Sequence, residues 1–118
     1  MNLGTAGTIA DLTFTTTGKL KETPVSIVDF WASSCPPCRK LAPIFEAACA
    51  EVTKKRPGQV AFFKVDVEQE PALARAYDVM SIPAVIGFSG GKPLDRFTGR
   101  TKEDLVRWVE KLAGNGRS

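Results

Sequence analysis

Three observations predict an α/β fold built on a mixed sheet. Two runs that are apolar at both parities, 25–31 and 60–67, read as strands buried on both faces. Stretches with helical spacing of apolar residues follow the first run and close the chain. Two glycines between two further apolar runs read as a tight hairpin. The resulting order of strand, helix, strand, helix, hairpin and helix gives parallel strands joined through helices plus an antiparallel pair. The chain has 118 residues, 43% hydrophobic and 25% charged, which fits one soluble globular domain. We expect that domain at 8–113, with short tails at 1–7 and 114–118.

Between Thr8 and Thr23 the large apolar residues are Ile9, Leu12, Phe14 and Leu20. A short first strand and an irregular helix of one or two turns are expected there. Pro24 opens the run Val25-Ser26-Ile27-Val28-Asp29-Phe30-Trp31, in which Asp29 is the one charge. Leu41, Phe45, Ala48 and Val52 then recur at helical spacing, and the helix should fade within 54–58. Pro43 lies inside it and should kink it by removing a backbone hydrogen bond. The second buried strand carries Lys64 and Asp66. Pro71 suits the first turn of a short helix reaching about Tyr77. Ile82-Pro83 leads into a strand at 84–88, the Gly90-Gly91 turn and a second arm at 94–98, which Pro93 places at a sheet edge. Thr101 with Asp104 starts the last helix in the manner of a capping box. Leu105, Trp108, Val109 and Leu112 form its apolar stripe, and Gly114 and Gly116 should end it. Tyr77, Phe88 and Trp108 are expected in the core.

Composition removes several function classes. Sixteen Lys and Arg against thirteen Asp and Glu leave a net charge of +3, scattered along the chain. That is too little to point to nucleic acid or an anionic membrane. No apolar stretch approaches the ~20 residues of a membrane span. The first ten residues show no secretory signal, so a cytoplasmic protein is expected. There is no histidine, which excludes zinc hydrolases, Ser-His-Asp triads and Cys-His nucleophile pairs.

The cysteines are Cys35, Cys38 and Cys49, and two of them form Cys35-Pro36-Pro37-Cys38. A strand ending at Trp31 and a helix starting near Pro37 put Cys35 at a helix N-terminus, where free backbone N–H groups and the dipole favour an anion. A thiolate is such an anion, so Cys35 should have a depressed pKa and act as the nucleophile. Cys38 lies about one turn further on, less exposed, as the resolving thiol. Pro36 and Pro37 stiffen the loop without spoiling the helix start. A zinc site is the first plain alternative. It would need Cys49, roughly 16 Å along the helix from Cys38, and one ion does not reach both. A chance, inert pair is the second alternative. Cys49 itself falls on the apolar stripe and reads as a small buried hydrophobe.

Val28-Asp29-Phe30-Trp31-Ala32, Cys38-Arg39-Lys40-Leu41-Ala42-Pro43, Phe63-Lys64-Val65-Asp66, Ile82-Pro83, the Gly90-Gly91 hairpin and Gly99 follow one another as they do in the thioredoxin family. The chain resembles that family over roughly 8–113. The resemblance implies the thioredoxin fold, a central mixed β-sheet flanked by α-helices on both faces. It implies a thiol–disulfide oxidoreductase that reduces protein disulfides by dithiol–disulfide exchange. No metal or organic cofactor is implied, the redox-active group being the Cys35–Cys38 pair. The implied partners are disulfide-containing proteins and a reductase such as thioredoxin reductase, met by a monomer. Position by position, Pro83 matches the cis-proline beside the disulfide. Asp29 matches the buried acid that takes and returns the proton of Cys38, and Lys64 matches its partner. A structural ion pair is the plain alternative for these two. Trp31, Ser34, Pro36, Pro37, Ser81, Ile82, Pro83, Thr98 and Gly99 match the substrate-binding rim.

The chain also departs from the pattern. Pro36 stands where Gly is usual, Ser34 where Trp is usual, Ser81 where Gly is common and Ala84 where Thr is common. Ser34 and Thr98 make the expected docking patch smaller and more polar. Pro-Pro between the cysteines also occurs in tryparedoxin-like and some oxidase-like relatives, at a position that tunes the reduction potential. Three other readings therefore accompany the reductase: a disulfide donor or isomerase, a binding module with little turnover, and an inter-chain iron–sulfur site.

Overall fold

Strand β2 (Val25–Trp31) lies at the centre of the molecule and is buried from Val25 through Phe30. It runs parallel to β3 (Val60–Asp66), with partners from Val25↔Val60 to Trp31↔Asp66, and antiparallel to β4 (Ala84–Ser89). A strand paired on both sides and covered on both faces has no water-facing residues to alternate, hence its unbroken apolar run. β1 (Ile9–Asp11) adds to β3 in parallel and β5 (Lys92–Arg96) adds to β4 antiparallel, giving the order β1-β3-β2-β4-β5. The computed structural model describes residues 8–115, so the expected N-terminal tail at 1–7 and residues 116–118 lie outside the described residues.

Side-chain parity sorts the residues of β2 and β3 into two cores. Val25, Ile27, Val60 and Phe62 face α1 (Pro36–Lys55) and α3 (Lys102–Asn115), where they pack with Phe45, Val52, Leu105 and Val109. Val28, Phe30, Phe63 and Val65 face the other way, against Leu20 of a 3₁₀ helix (Phe14–Lys21) and Leu73 of α2 (Pro71–Ala76). Tyr77, half-buried, closes that side with edge-on contacts to Phe30 and Phe88. Helices therefore flank both faces. The period of two also sends Asp29 and Trp31 to the α1 side with Val25 and Ile27, and Lys64 with Val60 and Phe62.

α1 runs on through Pro43, which sits on its exposed side, where water can take the hydrogen bond that the ring removes. Other expectations need correction. β5 occupies Lys92–Arg96 instead of 94–98. Gly90 and Gly91, at φ 60° and 85°, turn the chain in two residues, so Ser89 already pairs with Lys92. Every residue of this edge strand is exposed, which is why apolar patterning misplaces it. α3 passes Gly114 and ends at Asn115. Its start is as expected, because the Thr101 hydroxyl accepts from the Asp104 N–H at 3.0 Å and the Asp104 carboxylate accepts from the Thr101 N–H at 3.3 Å. Trp108 is only half-buried. Its indole N–H donates to Asp95 at 2.9 Å, and its ring lies over Gly87, where a side chain would collide with Leu112. Among the described residues no helix is long and apolar enough to cross a membrane.

Candidate active site

The C-terminal end of β2 opens into a short loop held by its neighbours. The Val67 N–H donates to the Trp31 carbonyl at 2.9 Å and Arg39 Nη1 donates to the Ser33 carbonyl at 2.7 Å. The exposed Ser34 hydroxyl donates to Glu68 at 3.0 Å. Cys35 then serves as N-cap of α1 with extended φ −106° and ψ 103°. It is joined to Cys38 in a disulfide with Cα atoms 5.2 Å apart. The two sulfurs are not equivalent: Cys35 is half-exposed, whereas Cys38 is 3% exposed beneath it. Pro36 and Pro37 fill the first two helical positions and bring no amide hydrogens. The first N–H available to Cys35 is therefore that of Cys38, which points at Cys35 Sγ from 3.2 Å. The several free amides expected at this helix start reduce to that one.

Asp29, which lines one cleft with Cys38, is 6% exposed and its Oδ1 has no hydrogen-bond partner among the described residues. Burial pushes its carboxyl up from 3.8 to about 7, with the Lys64 ammonium acting in the opposite direction. Lys64 is the register partner of Asp29 on β3. Its Nζ lies 5.7 Å from the centroid of the Trp31 ring, and no Asp29–Lys64 ion pair occurs among the described residues. The two interact through space, not by contact. Asp29, Trp31, Cys38 and Lys64 all line one cleft of about 510 Å³ between α1 and the sheet.

The remaining rim comes from two loops at the same end of the sheet. Ala84 pairs with Phe30, so the residues before it lie across from Trp31. The Ile82–Pro83 peptide bond is cis. The Phe97 N–H donates to the Val85 carbonyl at 2.9 Å, which carries the exposed Thr98 and Gly99 to that end as well. Gly99 is required by close approach, since an added Cβ would lie 2.7 Å from atoms of Phe97 and Asp104.

The thioredoxin family model matches residues 8–111, almost the whole described chain. The chain belongs to the thioredoxin family. Thioredoxin of Staphylococcus aureus is 40% identical over 91 residues, which are 76% of this chain and 84% of that one. Human ERp44 superposes with a TM-score of 0.84 at 26% identity, over 87% of this chain and 29% of ERp44. Thioredoxin of Malassezia sympodialis gives a TM-score of 0.79 over 96% of this chain and 97% of its own, and at 23% identity it speaks to the fold alone. With a cysteine pair joined at the helix N-terminus, the chain is a thiol–disulfide oxidoreductase. Thioredoxins act on disulfide-bonded proteins and are reduced in turn by a reductase.

All the residues expected at the thioredoxin site converge on one end of the sheet or on the cleft behind it. Among the described residues no group of three or more His, Cys, Asp or Glu could hold a metal ion. Cys49 is fully buried in the core on the α1 side, and burial pushes its thiol up to about 11. Several neighbours of the site escape sequence reasoning. Met80, 85% exposed, stands directly before Ser81, whose carbonyl accepts from Arg96 at 3.4 Å. Ile9 of β1 and Ala42 and Glu46 of α1 also line the cleft. Parity along β2 and β3 is the available signal, and it marks Asp29, Trp31 and Lys64 but no residue of β1 or α1.

Proposed function

We propose that the chain reduces protein disulfides, with Cys35 as nucleophile, Cys38 as resolving thiol and Asp29 as the acid–base that serves Cys38. The observation that carries this reading is the asymmetry of the pair: one sulfur half-exposed with an N–H aimed at it, the other buried and lining one cleft with a carboxyl. The Cys35 thiolate attacks a substrate disulfide, whose S–S bond breaks as one substrate sulfur leaves as a thiolate. Cys38 passes its proton to Asp29 and attacks Cys35 Sγ. The mixed disulfide breaks, the second substrate thiolate departs, and the proton held by Asp29 returns to a thiolate or to water. Two electrons have moved from the cysteine pair to the substrate, and the Cys35–Cys38 disulfide remains. A carboxyl at about 7 is suited to both halves of that proton transfer. Lys64 keeps it from rising further.

The Pro-Pro dipeptide supports the reducing direction. Stabilising the reduced form makes a dithiol pair oxidising. Here Pro37, at the second helical position, removes one of the two amides that could hold the thiolate, leaving the Cys38 N–H and the helix dipole. Substrate docks on Trp31, Pro36 and Pro37, on Ser81, Ile82 and Pro83, and on Thr98 and Gly99, with Ser34 offering a polar rim. Reduction by a thioredoxin reductase, action as a monomer and a cytoplasmic location complete the proposal.

Insulin reduction driven by dithiothreitol tests it. The wild type should precipitate insulin catalytically and Cys35→Ser should not. A folded protein with no turnover, unchanged by Cys35→Ser, would show a binding module instead. A reduction potential well above the cytosolic glutathione poise would reverse the direction to a disulfide donor or isomerase.

A further inference from the structure

The cleft behind Cys38 has more room than a proton transfer needs. Its volume of about 510 Å³ lies within the ~300–1,000 Å³ of small-molecule sites. Ile9, Ala42 and Phe45 give it an apolar wall, and the Trp31 ring a flat one. Two buried polar atoms on its lining residues, Asp29 Oδ1 and Trp31 Nε1, have no hydrogen-bond partner among the described residues. Buried groups of this kind ordinarily find one. The charged side chains lining the cleft are Arg39 and Lys64 against Glu46, and none of the three joins an ion pair among the described residues. Two cations facing one fixed anion favour a negative guest.

We propose that this cleft is a binding site for a small organic monoanion with a flat apolar body, an aromatic carboxylate in chemical class. Its carboxylate accepts from the Lys64 ammonium beside the Trp31 ring, and its own ring lies along Ile9, Ala42 and Phe45. Asp29, held protonated up to about 7 by burial, presents a hydroxyl and not a repelling charge. An occupant would stand against Cys38 and Asp29 and slow release of the mixed disulfide. That consequence rests on the acid–base role proposed for Asp29; the binding does not.

The test titrates 2-naphthoate into the oxidised full chain and follows backbone and indole signals by ¹H–¹⁵N NMR, with uncharged 2-naphthamide in parallel. Saturable shifts are expected at Asp29, Cys38, Lys64 and the Trp31 indole, with 2-naphthamide at least about tenfold weaker. Ala42→Trp, on the exposed side of α1, fills the cleft and should weaken 2-naphthoate by about tenfold or more. Glu46→Gln removes the lone fixed anion and should tighten it by about threefold. Shifts that do not saturate would mean the cleft holds only water and overturn the site. Equal binding of 2-naphthamide would overturn the anion, as would a Glu46→Gln variant that binds no tighter. Undiminished binding by a folded Ala42→Trp would place the ligand elsewhere.

Discussion

The two halves of α1 are built differently. From Phe45 onward the helix is packed: Phe45, Ala48, Cys49 and Val52 are buried together with Leu105 and Val109 of α3. Phe45 meets Phe62 edge-on at 5.5 Å. Glu51 binds Lys102 at 2.8 Å and Lys55 at 3.1 Å, and Arg56, capping the helix end, binds Glu110 at 2.6 Å. In the half that begins at Pro36, the buried residue is Cys38, and the cleft opens beneath it. One end of the helix is an anchor. The other is left underpacked.

The comparison breaks most visibly at the sulfurs. Cys38→Ser should lower turnover by about a thousandfold or more while accumulating a stable mixed disulfide with substrate, seen on non-reducing gels and by mass spectrometry. Cys35→Ser should form no such adduct.

Asp29 should set the stability of the underpacked end. Its folded-state carboxyl sits near 7 against 3.8 unperturbed, so between those values the native state binds the extra proton and stability falls as pH rises. Roughly three pH units correspond to about 4 kcal/mol, lost by about pH 7 and present at about pH 4. Urea denaturation across that range should show this slope in the wild type and flatten it in Asp29→Asn. Asp29→Asn should also slow resolution more than first attack, and equal slowing of both would remove the proton-transfer role.

At the anchored end, Leu105→Ala should cost about 3 kcal/mol in urea denaturation, with rate per folded molecule unchanged. The smallest effect belongs to Lys102→Ala. The Glu51–Lys102 pair is solvent-screened, so its loss should leave the urea midpoint nearly unchanged, and what difference there is should shrink further in salt.

The same division governs what could be read from residues alone. β2, β3, β4 and the anchored part of α1 are legible because burial dictates their side chains. β5 is not, since a strand with no buried residue carries no apolar period, and two positive-φ glycines, not its own sequence, set its register. At the site, Cys35, Cys38 and Asp29 stand out by residue type. The cleft does not, because Ile9 is distant in sequence from Ala42 and Glu46 of α1 and each is unremarkable in its own segment. The pairing of Lys64 with Trp31 instead of a contact with Asp29 depends on side-chain geometry that no spacing encodes.

The two outermost strands have a further bearing on partners. β1 is three residues long, and β5 carries Lys92, Pro93 and Arg96 on a fully solvated ribbon. Among the described residues neither flank offers a long, flat row of open amides, so another chain has little to zip onto. On the proposed reading, a client is gripped instead at the tip of the sheet, through a few residues around its own cystine.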